Sequence, residues 1–303
     1  MSISQTVFEL EAMRKKCRAN DITLMILAAF TMISMWMTSI VGDPSWVFLP
    51  LLGFAGIFIM SFNHGKYKKD FQRYYKNTFA TQVLSQMFTQ LNYNWDNGFS
   101  EDVVDRIGLT LWGNRFSSED YVSGMYNGVF FEQSDVVVKH RTSSGKNSHT
   151  YTYFKGRMFS FSFPKTDILS TMVFDKGFNY KGKGGKLRYE KVEMESEHFN
   201  RRFQVKAVRP IDAFYVLTPQ MMECICKIEE KYGNVAMRYE LGKLYVAINM
   251  SGNAFNASIS KPIVYTEEIE RIKYDSWIIT DIIDTLKLSP LYSGIQNNSN
   301  VNV

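Results

Sequence analysis

The apolar positions of this chain are concentrated first in two long runs near the N-terminus, residues 22–40 and 46–62. Neither run contains a charged side chain, and only the short sequence from Val41 to Ser45 separates them. A helix rises about 1.5 Å per residue and the hydrocarbon core of a bilayer is roughly 30 Å thick, so each run is long enough to cross a membrane. The pattern therefore predicts a transmembrane hairpin over residues 22–62. A buried helical pair of a soluble domain is the alternative.

Basic side chains flank both runs on the same side of the predicted hairpin, whereas the connecting turn carries only Asp43. The positive-inside rule then predicts that both termini lie in the cytoplasm, with residues 1–21 as a cytoplasmic N-terminal segment. The flanking basic residues are Arg14, Lys15, Lys16 and Arg18 before the first run, and Lys66, Lys68, Lys69, Arg73 and Lys76 after the second.

The segment after the hairpin, residues 63–92, places an apolar residue at every fourth position from Phe71 to Leu91. This spacing predicts a juxtamembrane helix. Each basic group near an anionic surface contributes about 1 kcal/mol, so we expect the second basic flank to bind the membrane surface. The predicted surface residues are Lys66, Lys68, Lys69, Arg73 and Lys76. The alternative is that these charges serve only as the topological signal.

Beyond residue 93 the pattern changes to that of an α+β domain, which we place at residues 93–288. Short runs rich in Val, Tyr, Phe and Thr predict an antiparallel meander over residues 124–163. The fold class is thus a membrane-anchored α+β protein, in which a two-helix transmembrane hairpin precedes a cytoplasmic domain with an antiparallel sheet and packed helices. Residues 93–124 are predicted as short helices or loops, and the Asn- and Ser-rich tail 289–303 as disordered. Further strands are predicted at 168–174, 187–194, 202–208 and in a hairpin over 235–248, and helices at 219–232 and 267–287.

Composition narrows the partners that this domain could bind. The net charge is only +5, and nine of the 35 basic residues lie in the two membrane flanks. This balance favours the lipid bilayer as partner and gives no signature of nucleic-acid binding. The three cysteines, Cys17, Cys224 and Cys226, fit packed, reduced thiols. The four histidines, His64, His140, His149 and His198, have no metal-ligand spacing, so no metal or cofactor is predicted.

One motif superficially matches a phosphate-binding loop. Gly177 to Lys183 has the spacing G-x-x-x-x-G-K, but Gly184 stands where such a loop needs Ser or Thr to bind magnesium. A strand-like segment follows in place of a helix. The sequence therefore predicts a flexible basic loop, and no catalytic residue is assigned.

A longer block resembles a known family. It runs from Phe199 to Val208, continues from Pro210 to Pro219, and ends in the strand Leu244–Ile248; an earlier block, Tyr121–Gly128, also fits. These residues resemble a family of bacterial two-span membrane proteins catalogued as a domain of unknown function (DUF3137). The resemblance implies location in the bacterial inner membrane with a cytoplasmic domain. It implies no reaction and no site residues.

We therefore expect a non-enzymatic adaptor or sensor whose cytoplasmic domain binds a protein partner or a small ligand. Two alternatives stay open. One is a membrane-tethered enzyme acting on lipid-linked or envelope precursors, with phosphate-binding candidates Lys183, Arg188, Arg201 and Arg202. The other is a structural protein that forms homo-oligomers through small residues of the second span, Gly53, Ala55 and Gly56.

Overall fold

The computed structural model describes residues 3–42, 44–144, 147–178 and 187–289. The predicted disorder of the tail beyond residue 289 lies outside the described residues, as does most of the loop that matches a phosphate-binding motif. The chain forms two compact units. The first contains the residues up to Val83 together with Phe255–Ile272, and the second contains Leu84–Ala254 together with the residues from Lys273 onward.

The first unit is built on an antiparallel pair of long helices. Helix α1 spans Ile3–Val41, a short 3-10 turn Pro44–Val47 follows, and α2 spans Phe48–Tyr74. A π-helical turn, Tyr75–Ala80, joins α2 to α3, Thr81–Met87. By length and composition both helical stretches, Gln5–Val41 and Phe48–Met87, are able to cross a membrane.

The helix after the hairpin is shorter than its periodicity predicts. It ends at Met87, and Thr89–Asn94 forms strand β1 in place of the last helical turn. Leu91 fits both patterns, since it lies four residues after Met87 and also alternates with polar neighbours in β1. The prediction of a helix to residue 92 was wrong for these last residues because the strand pairs with a partner far along the chain, β2 (Arg115–Tyr126).

The second unit is organised by a nine-stranded antiparallel sheet, counted over the described residues. Its strands lie in the order β1-β2-β3-β4-β9-β8-β5-β7-β6. The antiparallel α+β architecture predicted from the sequence is therefore confirmed. The remaining strands are β3 (Val129–Ser144), β4 (Asn147–Ser162), β5 (Thr171–Asp175), β6 (Glu190–Val192), β7 (Phe203–Ala207), β8 (Val235–Glu240) and β9 (Lys243–Asn249).

Several strands differ in length from their predicted bounds. The meander predicted over residues 124–163 consists of three long strands, β2 to β4, and already begins at Arg115. The region 93–124, predicted as helices or loops, holds most of β2 as well as a short helix, α4 (Glu101–Ile107). By contrast, the hairpin predicted over residues 235–248 is confirmed as β8 and β9, with Glu240 opposite Lys243 at the turn.

The helices of the second unit have local capping signals. Ser100, Ser196 and Thr218 each accept a hydrogen bond from a backbone N–H in the first turn of α4, α5 and α7. The helix predicted over residues 219–232 is confirmed as α7, with Pro219 at its first position. The helices after α4 are α5 (Glu197–Arg202), α6 (Pro210–Val216), α7 (Pro219–Tyr232) and α8 (Tyr265–Thr285).

The two faces of the sheet carry different cores, because alternate residues of a strand point to opposite faces. On one face Val136, Met158 and Ala247 pack with the apolar residues of α4, Val104 and Ile107. On the other face lie Phe159, Phe161, Val246 and Met237, all fully buried. Helices α7 and α8 contribute their own buried stripe of Ile225, Ile228, Ile279, Ile282 and Ile283.

Candidate functional site

The predicted membrane-surface residues lie on α2 and on the π-helical turn that follows it. Lys66, Lys68, Lys69 and Arg73 are exposed. Lys76 is not, since only 2% of it is accessible, and it is removed from the predicted surface. The π-turn explains the difference. Its i→i+5 geometry places Lys76 on the same side as the buried Phe71, five residues earlier.

A returning segment of the chain binds to these helices, which the sequence did not predict. The Gln72 side chain makes two hydrogen bonds with the backbone of Ala257, donating to its carbonyl at 2.8 Å and accepting from its N–H at 2.9 Å. Arg14 donates to the Ile259 carbonyl at 3.0 Å, and Glu11 accepts from the Ile263 N–H at 3.0 Å. Three polar side chains from α1 and α2 therefore hold the backbone of residues 257–263.

Glu11 and Arg14 are the charged part of this attachment. The guanidinium donates two hydrogen bonds to the carboxylate, at 2.8 and 2.7 Å. This pairing lowers the pKa of Glu11 from 4.5 to about 2 and raises the pKa of Arg14. A second cluster at the start of α8 repeats the arrangement, with Tyr75 donating to Glu268 at 2.7 Å and accepting from Arg271 at 2.7 Å. Burial is the main reason that the pKa of this tyrosine is raised.

The second unit contains a cavity of about 630 Å³ on the sheet face that α4 covers. One wall is apolar, formed by Phe99, Val103, Ile107 and Leu241. The floor is polar and comes from β2, β3, β4, β8 and β9. Its side chains are Tyr121, Glu132, Ser160, Arg238, Glu240, Lys243 and Tyr245, with Arg106 at the end of α4.

Arg238 fixes the geometry of this cavity. It is buried, and it donates to the carbonyls of Arg106 at 2.7 Å and Ile107 at 3.0 Å, where α4 ends. It also donates to Ser170 at 3.0 Å and forms an ion pair with Glu240. Gly108 follows at a φ of +65°, and a Cβ there would lie 3.1 Å from the guanidinium. The arginine therefore attaches α4 to the sheet and has its donors engaged.

The charged side chains of the cavity other than Arg238 and Glu240 form a longer ion pair than these two, or none, with the described residues. Glu132 accepts from the Tyr121 hydroxyl at 2.9 Å, while the Lys243 ammonium is 3.9 Å from the same carboxylate. Arg106 is exposed and forms no ion pair with any described residue. Burial and then the Glu240 charge raise the pKa of Tyr245, which keeps its hydroxyl protonated as a donor. With three cations and two carboxylates in its lining, the cavity has one excess positive charge.

The phosphate-binding candidates of the enzyme hypothesis are not equivalent in the structure. Lys183 lies outside the described residues, and Arg188 and Arg201 are exposed. Arg202 forms ion pairs with Glu229 and Glu230 of α7 and also donates to the Cys226 carbonyl. It ties α5 to α7, so its charge is already neutralised.

Two small residues of α2 that were predicted to form homo-oligomer contacts lie instead against α1 of the same chain. A Cβ on Gly53 would lie 2.8 Å from Thr31 of α1, and one on Gly56 would lie 3.6 Å from Leu27. Both glycines therefore face the neighbouring helix of the same chain, and only Ala55 of the three predicted residues is exposed.

The cysteines and histidines show no clustering that would bind a metal. Among the described residues no group of three or more His, Cys, Asp or Glu side chains has metal-binding geometry. Cys17, Cys224 and Cys226 are unpaired and buried, and burial raises the pKa of each thiol. They are packed thiols, as predicted.

The cavity under α4 could not be found from the sequence because its lining is contributed by residues far apart in the chain. Tyr121 and Glu132 are more than a hundred residues from Arg238 and Lys243 in the numbering. One local signal was available. Arg238 and Glu240 occupy alternate positions of a strand whose other residues are apolar and buried, which places two charges on one covered face.

These features define an α+β domain with a buried antiparallel sheet, connected to a pair of long apolar helices. Residues 152–288 match the family described as "Protein of unknown function (DUF3137)". The resemblance to this family seen in the sequence is thus confirmed over residues 152–288. The match runs from β4 to just beyond the end of α8 and assigns no activity.

Comparison with characterised proteins adds little. No curated protein matches the chain. Among solved structures, the chain is similar to the crystal structure of the mycobacterial trehalose monomycolate transport factor A, TtfA, at 11% sequence identity and a TM-score of 0.35. The likeness covers 68% of this chain and 92% of that one. A likeness this low defines neither the function nor the fold.

Proposed function

We propose that this protein is anchored in the bacterial inner membrane by its helical hairpin, with both termini in the cytoplasm, and that its sheet domain acts as a non-enzymatic sensor or adaptor. The cavity under α4 is the observation that carries the sensor role. Its ligand is a small molecule with one anionic group and an apolar part.

The hairpin supports the membrane anchor through the distribution of its side chains. Large apolar residues of α1 and α2 point outward over residues 22–62, including Phe54, Phe58 and Phe62. The seam between the helices is instead lined by small and polar residues, such as Thr31, Ser34 and Gly53. Small residues at helix contacts and apolar residues facing outward are typical of membrane helices.

The cavity supports a ligand-binding role by its size and its lining. Ligand pockets are commonly about 300 to 1,000 Å³, with mainly apolar walls and a few placed polar groups. Here the apolar wall of Phe99, Ile107 and Leu241 faces a floor with an excess positive charge. Arg106 pairs with no carboxylate of the residues that the structure describes, and Lys243 has a distant one, so both are available to an incoming anion.

The test measures binding of two water-soluble probes, benzoate and phenyl phosphate, to the full chain in nanodiscs by ligand-detected NMR. We expect both anions to bind and the uncharged analogue benzamide to bind at least tenfold more weakly. The double variant Arg106→Gln with Lys243→Gln should lose binding by about tenfold or more, since hydrogen bonds to charged groups contribute roughly 1.5–3 kcal/mol.

The matched control is Arg188→Gln with Lys227→Gln, which removes one exposed arginine and one exposed lysine away from the cavity. It should leave binding unchanged. If the unaltered chain binds neither anion, or if both double variants lose binding equally, the cavity is not a ligand site and the sensor role is wrong.

A further inference from the structure

Over the described residues, the β2–β3–β4 ladder contains two cross-strand pairs of like charge, and only the acidic pair has polar partners within the domain. Glu119 lies directly opposite Asp135, and Arg115 lies directly opposite Lys139, four residues away on the same two strands. Like charges directly opposite each other in an antiparallel pair destabilise the sheet. Each pair therefore needs a compensating partner or raises the free energy of the folded domain.

The acidic pair has its partners within the domain. Asp135 forms an ion pair with Arg157 at 3.3 Å and accepts a hydrogen bond from the Ala254 N–H. Glu119 accepts from the side chain of Asn253. The negative charges are thus covered by groups of the same unit.

The basic pair has no such partners. Arg115 and Lys139 are exposed, and neither forms an ion pair with a described residue. Two more exposed cations share their sheet face, since Arg141 is two residues beyond Lys139 and Lys155 is opposite Val137, two residues before it. Among the described residues, the Arg141 guanidinium donates only to the Ser148 hydroxyl, at 3.3 Å.

The sequence around these cations contains basic residues without acidic ones. No aspartate or glutamate occurs from residue 136 to residue 166. Strands β3 and β4 continue as a two-stranded ribbon beyond the last pairing with β2 at Lys139, so the cations lie at the base of a projecting hairpin. Two aromatic side chains that are more than half exposed accompany the cations. Tyr151 belongs to β4 of the hairpin, and Trp112 precedes Arg115 by three residues in the chain. A basic surface with exposed aromatic side chains suits the interfacial region of a bilayer.

We propose that this basic ribbon, formed by Arg115, Lys139, Arg141 and Lys155, docks on the surface of an anionic bilayer. The proposal rests on the membrane anchor described under the proposed function, because the anchor holds the domain at a high effective concentration near lipid headgroups. The phosphates of the headgroups supply the countercharge that no described residue of the domain provides. Docking would fix the sheet domain at the membrane independently of the basic residues on α2.

The experiment uses the full chain carrying Thr150→Cys, labelled with bimane and reconstituted into vesicles that contain a headgroup-labelled nitroxide lipid. Thr150 is exposed and lies opposite Arg141 on the basic face. The native cysteines are buried, which restricts labelling to the new one. We expect strong quenching in vesicles with phosphatidylglycerol, little in purely zwitterionic vesicles, and loss of quenching at about 1 M salt, where the screening length falls to about 3 Å.

Charge removal locates the surface. Changing all four cations of the ribbon to glutamine should weaken docking by more than about 100-fold, since each basic group near an anionic surface contributes about fivefold. The matched control changes two exposed arginines and two exposed lysines elsewhere in the domain, Arg188, Arg201, Lys176 and Lys227, to glutamine. The control should keep at least half of the quenching.

A second measurement distinguishes a binding role from a structural one. Arg115→Gln removes one member of the uncompensated pair, so it should raise the apparent unfolding midpoint in detergent by about 1 to 3 °C while it weakens docking. A structural role for Arg115 predicts the opposite change in the midpoint.

The failures of this proposal and of the membrane anchor are distinguishable. A chain that does not float with vesicles in the presence of about 1 M salt contradicts the anchor. A chain that floats but shows no quenching, or equal quenching in both lipid mixtures, overturns the ribbon proposal. Salt-sensitive binding of duplex DNA that the four-cation variant loses, without quenching by lipid, would assign the ribbon to nucleic acid and also overturn it.

Discussion

The helical hairpin and the sheet domain use the same apolar residue types in opposite ways. Phe58 of α2 is 79% exposed, whereas Phe159 of β4 is fully buried. In the hairpin the buried positions are small or polar, as with Thr31 and Ser34, while in the sheet they are aromatic and aliphatic. Over the described residues 22–62 the buried positions form no apolar core, whereas those of the sheet domain do. The outward apolar surface of the hairpin suits the bilayer of the proposed membrane anchor.

Truncating one phenylalanine in each region gives the largest expected difference. Phe159→Ala should destabilise the sheet domain by about 3–5 kcal/mol, because it leaves a cavity in a closely packed core. Phe58→Ala should change the stability of the chain in nanodiscs by less than about 1 kcal/mol, because in the proposed membrane anchor its contacts are with lipid. Denaturant unfolding followed by sheet circular dichroism measures both. Similar losses for the two variants would mean that Phe58 packs in a protein core.

In each unit a buried arginine holds a backbone segment that is distant in the sequence. The two arginines are Arg238 in the sheet domain and Arg14 in the helical unit. Arg238→Gln should free the end of α4 and destabilise the sheet domain by about 2–3 kcal/mol, the usual contribution of hydrogen bonds to a charged donor. Arg14→Gln should release the segment around Ile259 without affecting α4. Hydrogen exchange of residues 101–108 and 255–263 tests both variants. Faster exchange in the same segment for both would contradict the assigned roles.

Close packing inside the hairpin predicts a smaller effect. Gly53→Ala should destabilise the contact of α1 with α2 by about 1–2 kcal/mol, because the added Cβ would lie 2.8 Å from Thr31. The further substitution Thr31→Ala removes the two atoms that would lie nearest to the new Cβ. It should therefore restore most of the lost stability. Titration with sodium dodecyl sulfate measures helix separation in the single and double variants. Additive losses in the double variant would show that the two residues are not in contact.

The Glu11–Arg14 pair predicts the smallest effect, a pH dependence confined to the helical unit. The pKa of Glu11 falls from 4.5 to about 2 on folding, so its stabilisation is complete above about pH 5 and is lost as the pH falls from about 4.5 towards 2. The hydrogen-exchange rate of residues 257–263, corrected for its intrinsic pH dependence, should increase over that range. Glu11→Gln should abolish the change. A change that persists in this variant would assign the titration to another group.

The sequence predicted those parts of the fold that depend on local pattern. The β8–β9 hairpin and the start of α7 at Pro219 follow from a few adjacent residues, and both agree with the structure. The long-range features were missed for a physical reason. Residues 257–263 are attached by Gln72 and Arg14, and the cavity forms where Arg238 contacts the end of α4. The partners in these contacts are far apart in the sequence. Local periodicity therefore does not predict them. Lys76 was misplaced because a π-turn interrupts the helical spacing.

The membrane hairpin with both termini in the cytoplasm is the central claim, and a dual-reporter experiment in a bacterial host tests it most directly. Two reporters are fused in turn at Asp43 and after Val303. Alkaline phosphatase is active only outside the cytoplasm. Green fluorescent protein is fluorescent only when it stays in the cytoplasm. We expect phosphatase activity only at Asp43 and fluorescence only at Val303. Phosphatase activity at Val303, or fluorescence at both positions with the protein in the soluble fraction, would contradict it.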